Sequence, residues 1–209
     1  MPIYLINNHI VAEDAPHFTP NSRGYRYGDG FFESCAMWQG RILQLPLHVD
    51  RIKKSALLLK INLPSWWDEI SWETSVLKAC NEAGWASARI RLTFFRESTG
   101  LYTPDQMEAT VVTEIHETQN LTPYPWNEQG LTLGTYKELS KNNNFTATLK
   151  TCSALTYTLA GFTPRNMDST MWSSSTITAD PVKRWPRISL WSKGNSSSPH
   201  PFLSIVSTG

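Results

Sequence analysis

Lys150 is the residue of this chain whose surroundings best suit covalent chemistry. It follows the polar stretch KNNNFTAT and lies in the string TLKTCSALTYTLA, just before a run of small and apolar residues. Burial of a lysine disfavours the ammonium and favours the free amine, which attacks a carbonyl to form a Schiff base. The pattern therefore indicates a nucleophilic lysine. A solvated surface lysine is the alternative that position alone leaves open.

Other side chains that could bind ligands lack a recognisable motif. The segment GYRYGDG at 24–30 has neither a P-loop lysine nor the spacing of a dinucleotide fingerprint, so it predicts turns. The histidines form no H-x-x-x-H pair, and we expect no metal. The cysteines are odd in number and form no C-x-x-C motif, which favours reduced, cytoplasmic thiols. These residues are His9, His17, His48, His116 and His200, and Cys35, Cys80 and Cys152.

The composition of the chain disfavours several classes of partner. Its 209 residues include 19 basic and 18 acidic side chains. A net charge of +1 offers no electrostatic surface for nucleic acid or for an anionic membrane, so a small-molecule substrate is the better expectation. The N-terminus lacks a cationic segment followed by a long apolar one, and no run approaches about 18 apolar residues. We therefore expect a soluble, untargeted, cytoplasmic protein.

Hydrophobic periodicity predicts one α+β unit over residues 1–117. Apolar residues recur at helical spacing in two segments, 45–60 and 66–83. Strand-like runs separated by glycine, proline or asparagine turns flank these two segments. The runs lie at 3–6, at 10–12, in the second half of 23–44, at 88–97 and at 108–115. The sequence thus predicts an antiparallel sheet covered by two helices.

A second domain is predicted after a proline-containing connector. The stretch TQNLTPYPWNEQG at 118–130 has little periodicity, and we assign the interdomain linker to 118–126. The following segment, 127–161, opens with LTLGTYKE as a strand. It ends with LKTCSALTYTLAG, whose small and apolar residues suit a buried helix. The lysine of interest would lie at the start of that helix.

Four strings, taken in order, resemble the successive landmarks of the class IV aminotransferase family. They are RGYRYGDGFFES at 23–34, LHVDRIKKSA at 47–56, RIRLTFFRESTGLYTP at 89–104 and LKTCSALTYTLA at 149–160. The family includes branched-chain and D-amino-acid aminotransferases and 4-amino-4-deoxychorismate lyase. The resemblance implies a two-domain enzyme of fold type IV, with pyridoxal 5'-phosphate as cofactor. It also implies an amino acid and a 2-oxo acid as substrates, and a homodimer if the chain is full length.

By this resemblance, Lys150 is the lysine that carries the cofactor and shuttles a proton between it and the substrate carbon. Arg51, in the string HVDRI, matches the arginine that binds the cofactor phosphate, a task that suits a planar guanidinium. A solvated helix arginine is the alternative for Arg51.

The resemblance also suggests residues on the substrate side of the pocket. Tyr27, Phe32 and Glu33, in YGDGFFE, match a strand that lines this side, although residues that only pack the core are an alternative. Arg91 matches an arginine that binds the substrate carboxylate in some members. Arg89 and Arg96 are the alternatives for that role.

Residues 162–209 differ in character from the rest of the chain. They contain 11 serines, 5 prolines and 3 tryptophans, with only Asp168 and Asp180 as acids, and they show neither a helical nor a strand period. Disordered tails are poor in aromatic residues, so disorder explains this composition badly. We expect an out-of-frame tail that forms no stable packed structure.

Back-translation supports a change of reading frame. The codons CGA ATA TCT TTG TGG TCA AAG GGA, chosen for residues 187–194, give N-I-F-V-V-K when read one base out of register. The same shift restores the string CEAMASN, whose glutamate would pair with the pyridine nitrogen of the cofactor. One base lost in the codon of Gly161 accounts for the whole segment. We therefore expect the chain as given to be truncated and defective as a catalyst.

Transamination, with a branched-chain amino acid as the first expected donor, is the activity that the resemblance implies. Lyase action on aminodeoxychorismate, which releases 4-aminobenzoate, is the alternative within the family. The loop STGLYTP at 98–104 lacks the arginine that we would expect in such a lyase. The alternative outside enzyme function is a non-catalytic fragment that survives as a binding or dimerising module.

Overall fold

The computed structural model describes residues 1–14, 20–119 and 144–161, together with the backbone of three strands at 133–142, 171–177 and 188–192. The chain divides into two compact units. The first lies within Met1–Pro125 and also includes Leu149–Ser153. The second lies within Trp126–Thr148 and Ala154–Gly209. Over the described residues, no helix combines the length and the apolar character needed to cross a membrane.

The first unit contains a six-stranded sheet in which each strand pairs antiparallel with its neighbours. The order across the sheet is β2-β1-β6-β5-β3-β4. The strands are β1 Ile3–Ile6, β2 His9–Val11, β3 Gly30–Trp38, β4 Arg41–Ile42, β5 Ser87–Arg96 and β6 Ala109–Glu117. The helices are α1 Arg23–Tyr27, α2 Leu45–Leu59 and α3 Glu69–Glu82. The predicted α+β class is confirmed, and α1 is a short helix in a region where the sequence predicts turns.

Alternation of buried and half-buried residues over the middle of β3 and β5 gives this sheet two unlike faces, because successive side chains of a strand point to opposite sides. One face belongs to the hydrophobic core and packs with residues of α2 and α3 such as Ile52 and Trp72. The other face is only half-buried and carries polar and charged groups. The core side of β3 and β5 consists of Phe31, Glu33, Cys35, Met37, Ile90, Leu92 and Phe94.

Two glycines set the path of the chain into β3. Gly28 ends α1 in the left-handed region, with φ of +62°, which glycine adopts without the penalty of a Cβ atom. A Cβ atom on Gly30 would lie 2.5 Å from the carbonyl oxygen of Phe94 on β5. The close approach of β3 to β5 therefore requires glycine at this position.

The second unit contains a three-stranded sheet in the order β7-β8-β9. These strands are β7 Leu133–Asn142, β8 Met171–Ile177 and β9 Ile188–Ser192. The β7 and β8 strands run parallel, whereas β8 and β9 run antiparallel. A 3-10 turn at Phe145–Thr148 and the helix α4 Leu155–Gly161 belong to the same unit.

The prediction of a buried helix over 149–161 is wrong in extent and in burial. The helix begins only at Leu155, whose side chain is exposed, as is that of Leu159. The preceding residues are extended because their backbone pairs with β3, where the Cys152 N–H donates to the Gly30 carbonyl at 2.9 Å. Backbone pairing with a strand edge thus overrides the helical pattern of the sequence in this segment.

Two stretches of 162–209 form strands, those of β8 and β9. The expectation that this segment forms no stable packed structure stays a prediction. Both strands contain β-branched and aromatic residues, such as Trp172 and Ile177 in β8 and Ile188 and Trp191 in β9. Such residues favour extended backbone even where no alternation of polar and apolar residues is present. The other residues of this segment lie outside the described part of the chain.

Candidate active site

Lys150 lies on an extended segment that borders the first half of β3. The Phe32 N–H donates to the Lys150 carbonyl at 2.8 Å, and Thr151 forms an antiparallel bridge with Phe31. Beyond this point the same edge of β3 pairs with β4. The backbone of the sheet, and not a helix, therefore fixes the position of this lysine.

Glu33 is the buried acceptor on which the site is built. Its Oε1 atom accepts hydrogen bonds from Lys150 Nζ at 3.0 Å and from Arg51 Nη2 at 2.9 Å. The same atom accepts from the backbone N–H of the adjacent residue, Ser34, at 2.9 Å. Its Oε2 atom accepts from Arg51 Nε at 2.8 Å. The side chain of Glu33 is only 3% exposed, so one carboxylate out of reach of solvent joins two predicted site residues.

The partners of Glu33 keep this buried carboxyl ionised. Burial by itself would raise the pKa of Glu33, because it penalises the charged form. Hydrogen bonds with His48 and Arg51, the charge of Lys150 and the Ser34 N–H outweigh burial and hold the pKa far below its ordinary value. The site therefore contains a carboxylate, and not a neutral acid, at every physiological pH.

Helix α2 supplies Arg51 and also a residue that sequence reasoning missed. His48 Nδ1 lies 2.9 Å from Arg51 Nη2 and 3.3 Å from Glu33 Oε1. The spacing of His48 and Arg51 is i, i+3, which places them on one face of the helix, and this spacing is the signal that could have found His48. Hydrogen bonding to Glu33 raises the pKa of Arg51.

The opposite face of the sheet holds a second polar group around Arg91. Its guanidinium lies over the ring of Phe32, with Cζ 3.8 Å from the ring centroid, and its Nε is 3.5 Å from Glu114 Oε1. Arg89 lies on the same face of β5, where burial and the charge of Arg91 lower its pKa. An open cavity of about 380 Å³ is lined by these two arginines, Glu114 and His116.

The structure separates three residues that the sequence places together on one strand. Tyr27 lies in α1, because Gly28 ends that helix before β3 begins, and its ring is 5.6 Å from that of Tyr102. Phe32 and Glu33 point to opposite faces of β3, as strand alternation requires. Tyr27 therefore lies outside the predicted strand, and the assignment of the three residues to the substrate side of the pocket stays a prediction.

The Glu33 cluster can present a nucleophile and an anion-binding group side by side. The side chain of Lys150 is 27% exposed and that of Arg51 is 51% exposed, so a ligand can reach both. Two cationic groups face one carboxylate, which leaves a surplus of positive charge. An aldehyde that carries a negative charge matches this arrangement chemically.

Comparison with known proteins identifies the family. The model of the family described as amino-transferase class IV matches residues 30–168. The chain belongs to this family. Its members are enzymes that use pyridoxal phosphate, and the match includes Glu33, Arg51 and Lys150.

Two curated relatives show the range of the family. An aminodeoxychorismate lyase of Vibrio harveyi is 28% identical over 119 residues, which are 56% of this chain and 42% of the lyase. A D-alanine aminotransferase of Listeria monocytogenes is 27% identical over 89 residues, or 43% of this chain and 31% of that enzyme. The chain thus spans less than half the length of either relative.

Solved structures share the fold. A branched-chain amino acid aminotransferase of Escherichia coli matches with a TM-score of 0.67 and 17% identity. That match covers 84% of this chain and 58% of the other. A 4-amino-4-deoxychorismate lyase from Pseudomonas aeruginosa matches with a TM-score of 0.60 and 20% identity, over 83% of this chain and 61% of the other. The predicted fold-type IV architecture is confirmed.

The described side chains fit pyridoxal phosphate. Its aldehyde needs an accessible amine, which Lys150 offers, and its phosphate needs a donor such as the half-exposed guanidinium of Arg51. Both groups contact the same carboxylate, so they lie within one small site.

Replacement of Glu33 should change how stability depends on pH. Because the pKa of Glu33 is lower in the folded protein, the carboxylate stabilises the fold fully above its unfolded pKa of about 4.5 and progressively less as the pH falls below that value. We expect Glu33→Gln to lower the free energy of unfolding at pH 7 by about 1.5–3 kcal/mol, since hydrogen bonds to a charged group are lost. The deficit should shrink as the pH falls below about 4.5.

Urea unfolding at pH 7, 5 and 4 measures this effect. Glu82→Gln is the matched control, because Glu82 is an exposed glutamate whose ion-pair distance to Lys78 is 3.9 Å. The control should differ little from the unmodified chain at each pH. A deficit for Glu33→Gln that stays constant from pH 7 to pH 4 would show that the carboxylate is not specifically stabilised by folding.

Proposed function

We propose that this chain derives from a pyridoxal-phosphate-dependent aminotransferase that transfers an α-amino group between an amino acid and a 2-oxo acid. The observation that carries the proposal is the buried Glu33 carboxylate, which holds Lys150 and Arg51 at 3.0 and 2.8 Å. This pair supplies the amine and the phosphate-binding group that the cofactor requires. Branched-chain amino acids are the first donors to test.

Each proposed site residue has a distinct task. Lys150 holds the cofactor covalently through Nζ, and the same atom moves the proton of the substrate α-carbon. Arg51 binds the phosphate with its exposed side, while Glu33 holds the guanidinium from the buried side. When bound, pyridoxal phosphate withdraws electrons from the substrate α-carbon.

Arg91 is the proposed carboxylate-binding residue on the substrate side. The ring of Phe32 lies against its guanidinium and limits its rotamers, and the Phe32 N–H is bonded to the Lys150 carbonyl. This contact connects the arginine to the lysine segment through one residue. Arg89 lies beside it on the same cavity and is the second candidate for this task.

Lyase action on aminodeoxychorismate is the second candidate activity. The similarity to the lyase of Vibrio harveyi, at 28% identity over 119 residues, favours it. The loop STGLYTP, which lacks an arginine, counts against it. Both activities would use the same lysine and the same cofactor phosphate site.

Incubation of the frame-corrected protein with pyridoxal phosphate, followed by borohydride reduction, should leave a pyridoxyl label on Lys150. Peptide mapping by mass spectrometry measures the label, and Lys150→Ala should abolish it because this variant removes the amine that Glu33 holds. Lys53→Ala, which removes an exposed lysine of α2, is the control and should retain the label. A label on Lys137 or Lys141 in place of Lys150 would contradict the assignment.

A panel of amino donors, assayed beside aminodeoxychorismate, separates the two activities. We expect the frame-corrected protein to convert 2-oxo acids in the presence of branched-chain amino acids and to release no 4-aminobenzoate. Formation of 4-aminobenzoate without amino transfer would decide for the lyase. Loss of an activity in Lys150→Ala would indicate that this activity depends on the cofactor site.

We further propose that residues 162–209 are read out of frame and that the chain as given is defective. The serine-rich, acid-poor composition and the family-like codons of the shifted frame support this proposal. A sequencing read across the codon of Gly161 tests it. Recovery of one extra base would reveal a sequencing error, whereas an unchanged read from the genome would indicate a true pseudogene.

A further inference from the structure

The Glu33 carboxylate is more deeply buried than the Lys150 amine and the Arg51 guanidinium that it contacts. Its side chain is 3% exposed, against 27% for Lys150 and 51% for Arg51. A ligand that enters from solvent therefore meets the two cationic groups and cannot reach the carboxylate. A residue that lines the substrate side of a pocket would be open to the ligand, and Glu33 is not.

The contacts of Glu33 restrict two side chains that would otherwise be flexible. Lysine and arginine each lose rotamer entropy when they are fixed, and this loss weakens ligand binding unless it has already occurred in the free protein. Arg51 is bound at both Nε and Nη2, and Lys150 at Nζ. The free protein thus already holds the two groups in one arrangement.

The charges around Glu33 also define what can bind there. The groups that face it are the Ser34 N–H of its own strand, Arg51 and His48 of α2, and Lys150 of the edge segment. None of these four is an anion, so a single carboxylate is shared between at least two positive charges. An added phosphate would balance the excess positive charge at Arg51. The Lys150 ammonium gives up one proton to solvent, and Nζ then condenses with the aldehyde to form a C=N bond with the release of one water.

We propose that Glu33 is a positioning residue that spaces Arg51 and Lys150 so that the site selects an aldehyde that also carries a phosphate. This inference rests on the proposed function, since it assumes that Lys150 reacts with the aldehyde and Arg51 binds the phosphate. It places Glu33 with the residues that hold the cofactor, and not with those that bind the substrate. The selectivity then belongs to a three-residue unit and not to Arg51 alone.

The experiment compares pyridoxal phosphate with pyridoxal, which has the same aldehyde but no phosphate. Each is titrated against the chain, trapped with borohydride and quantified as pyridoxyl-labelled Lys150 by mass spectrometry. The half-labelling concentration of pyridoxal, divided by that of pyridoxal phosphate, measures the selectivity for the phosphate group. A loss of stability alone would weaken labelling by both aldehydes and leave this ratio unchanged.

We expect Glu33→Gln to reduce the ratio by at least about tenfold, as should Arg51→Ala, because each removes the oriented charge-assisted contact. The double variant should show little further loss, since the two residues act as one unit. Glu69→Gln is the control, because it removes an exposed glutamate of α3 that lies 3.6 Å from Lys53 of α2, and it should keep the ratio of the unmodified chain.

If Glu33→Gln fails to fold, Glu33→Asp provides the second variant. It keeps the charge but withdraws the carboxylate by one methylene group, so it should also lower the ratio. Full selectivity in a folded Glu33 variant, together with its loss in Arg51→Ala, would overturn the role of Glu33 and leave the proposed function intact. Absence of label on Lys150 in the unmodified chain would overturn this inference, whereas absence of label in the frame-corrected protein would overturn the proposed function as well.

Discussion

The ionised carboxylate of Glu33 is the interaction on which the candidate site depends. A carboxylate at 3% exposure is costly to bury unless cationic and N–H donors surround it, and Glu33 is surrounded by Arg51, Lys150, His48 and a backbone N–H. Three of these donors come from parts of the chain that are distant in sequence from β3. Satisfaction of one buried charge therefore requires that α2 and the lysine segment both reach the same point on the sheet.

The two faces of β3 carry different groups of the candidate site. Glu33 points to the side of α2, where it holds the cationic groups, whereas Phe32 points to the half-exposed side, where it supports Arg91. Lys150 borders the strand between these two sides, since its backbone pairs with Phe32 and its side chain reaches Glu33. A short edge pairing thus places one lysine at the border between the two faces of β3.

Sequence patterns predicted the sheet, the two long helices and the grouping of Lys150 with Arg51, because periodicity and family motifs are properties of short segments. They could not predict the contacts of Glu33, which depend on how β3, α2 and the lysine segment meet in space. Spacing alone left His48 without a role, although its i, i+3 relation to Arg51 was visible. The helix expected over 149–161 failed for a related reason, since a free strand edge is a tertiary feature that no local pattern contains.

The bond between Glu33 and Lys150 joins residues that are 117 positions apart in the chain. Closure of so long a loop carries an entropic cost, and the pairing of β1 with β6, which joins Ile3 to Ile115, carries a similar one. The sheet and its helices are held by pairings within the first 117 residues and so do not require the lysine segment. Release of the lysine segment would leave that sheet with its core intact and only the edge of β3 exposed. Local opening at this edge would therefore separate Lys150 from Glu33 while the surrounding fold persists.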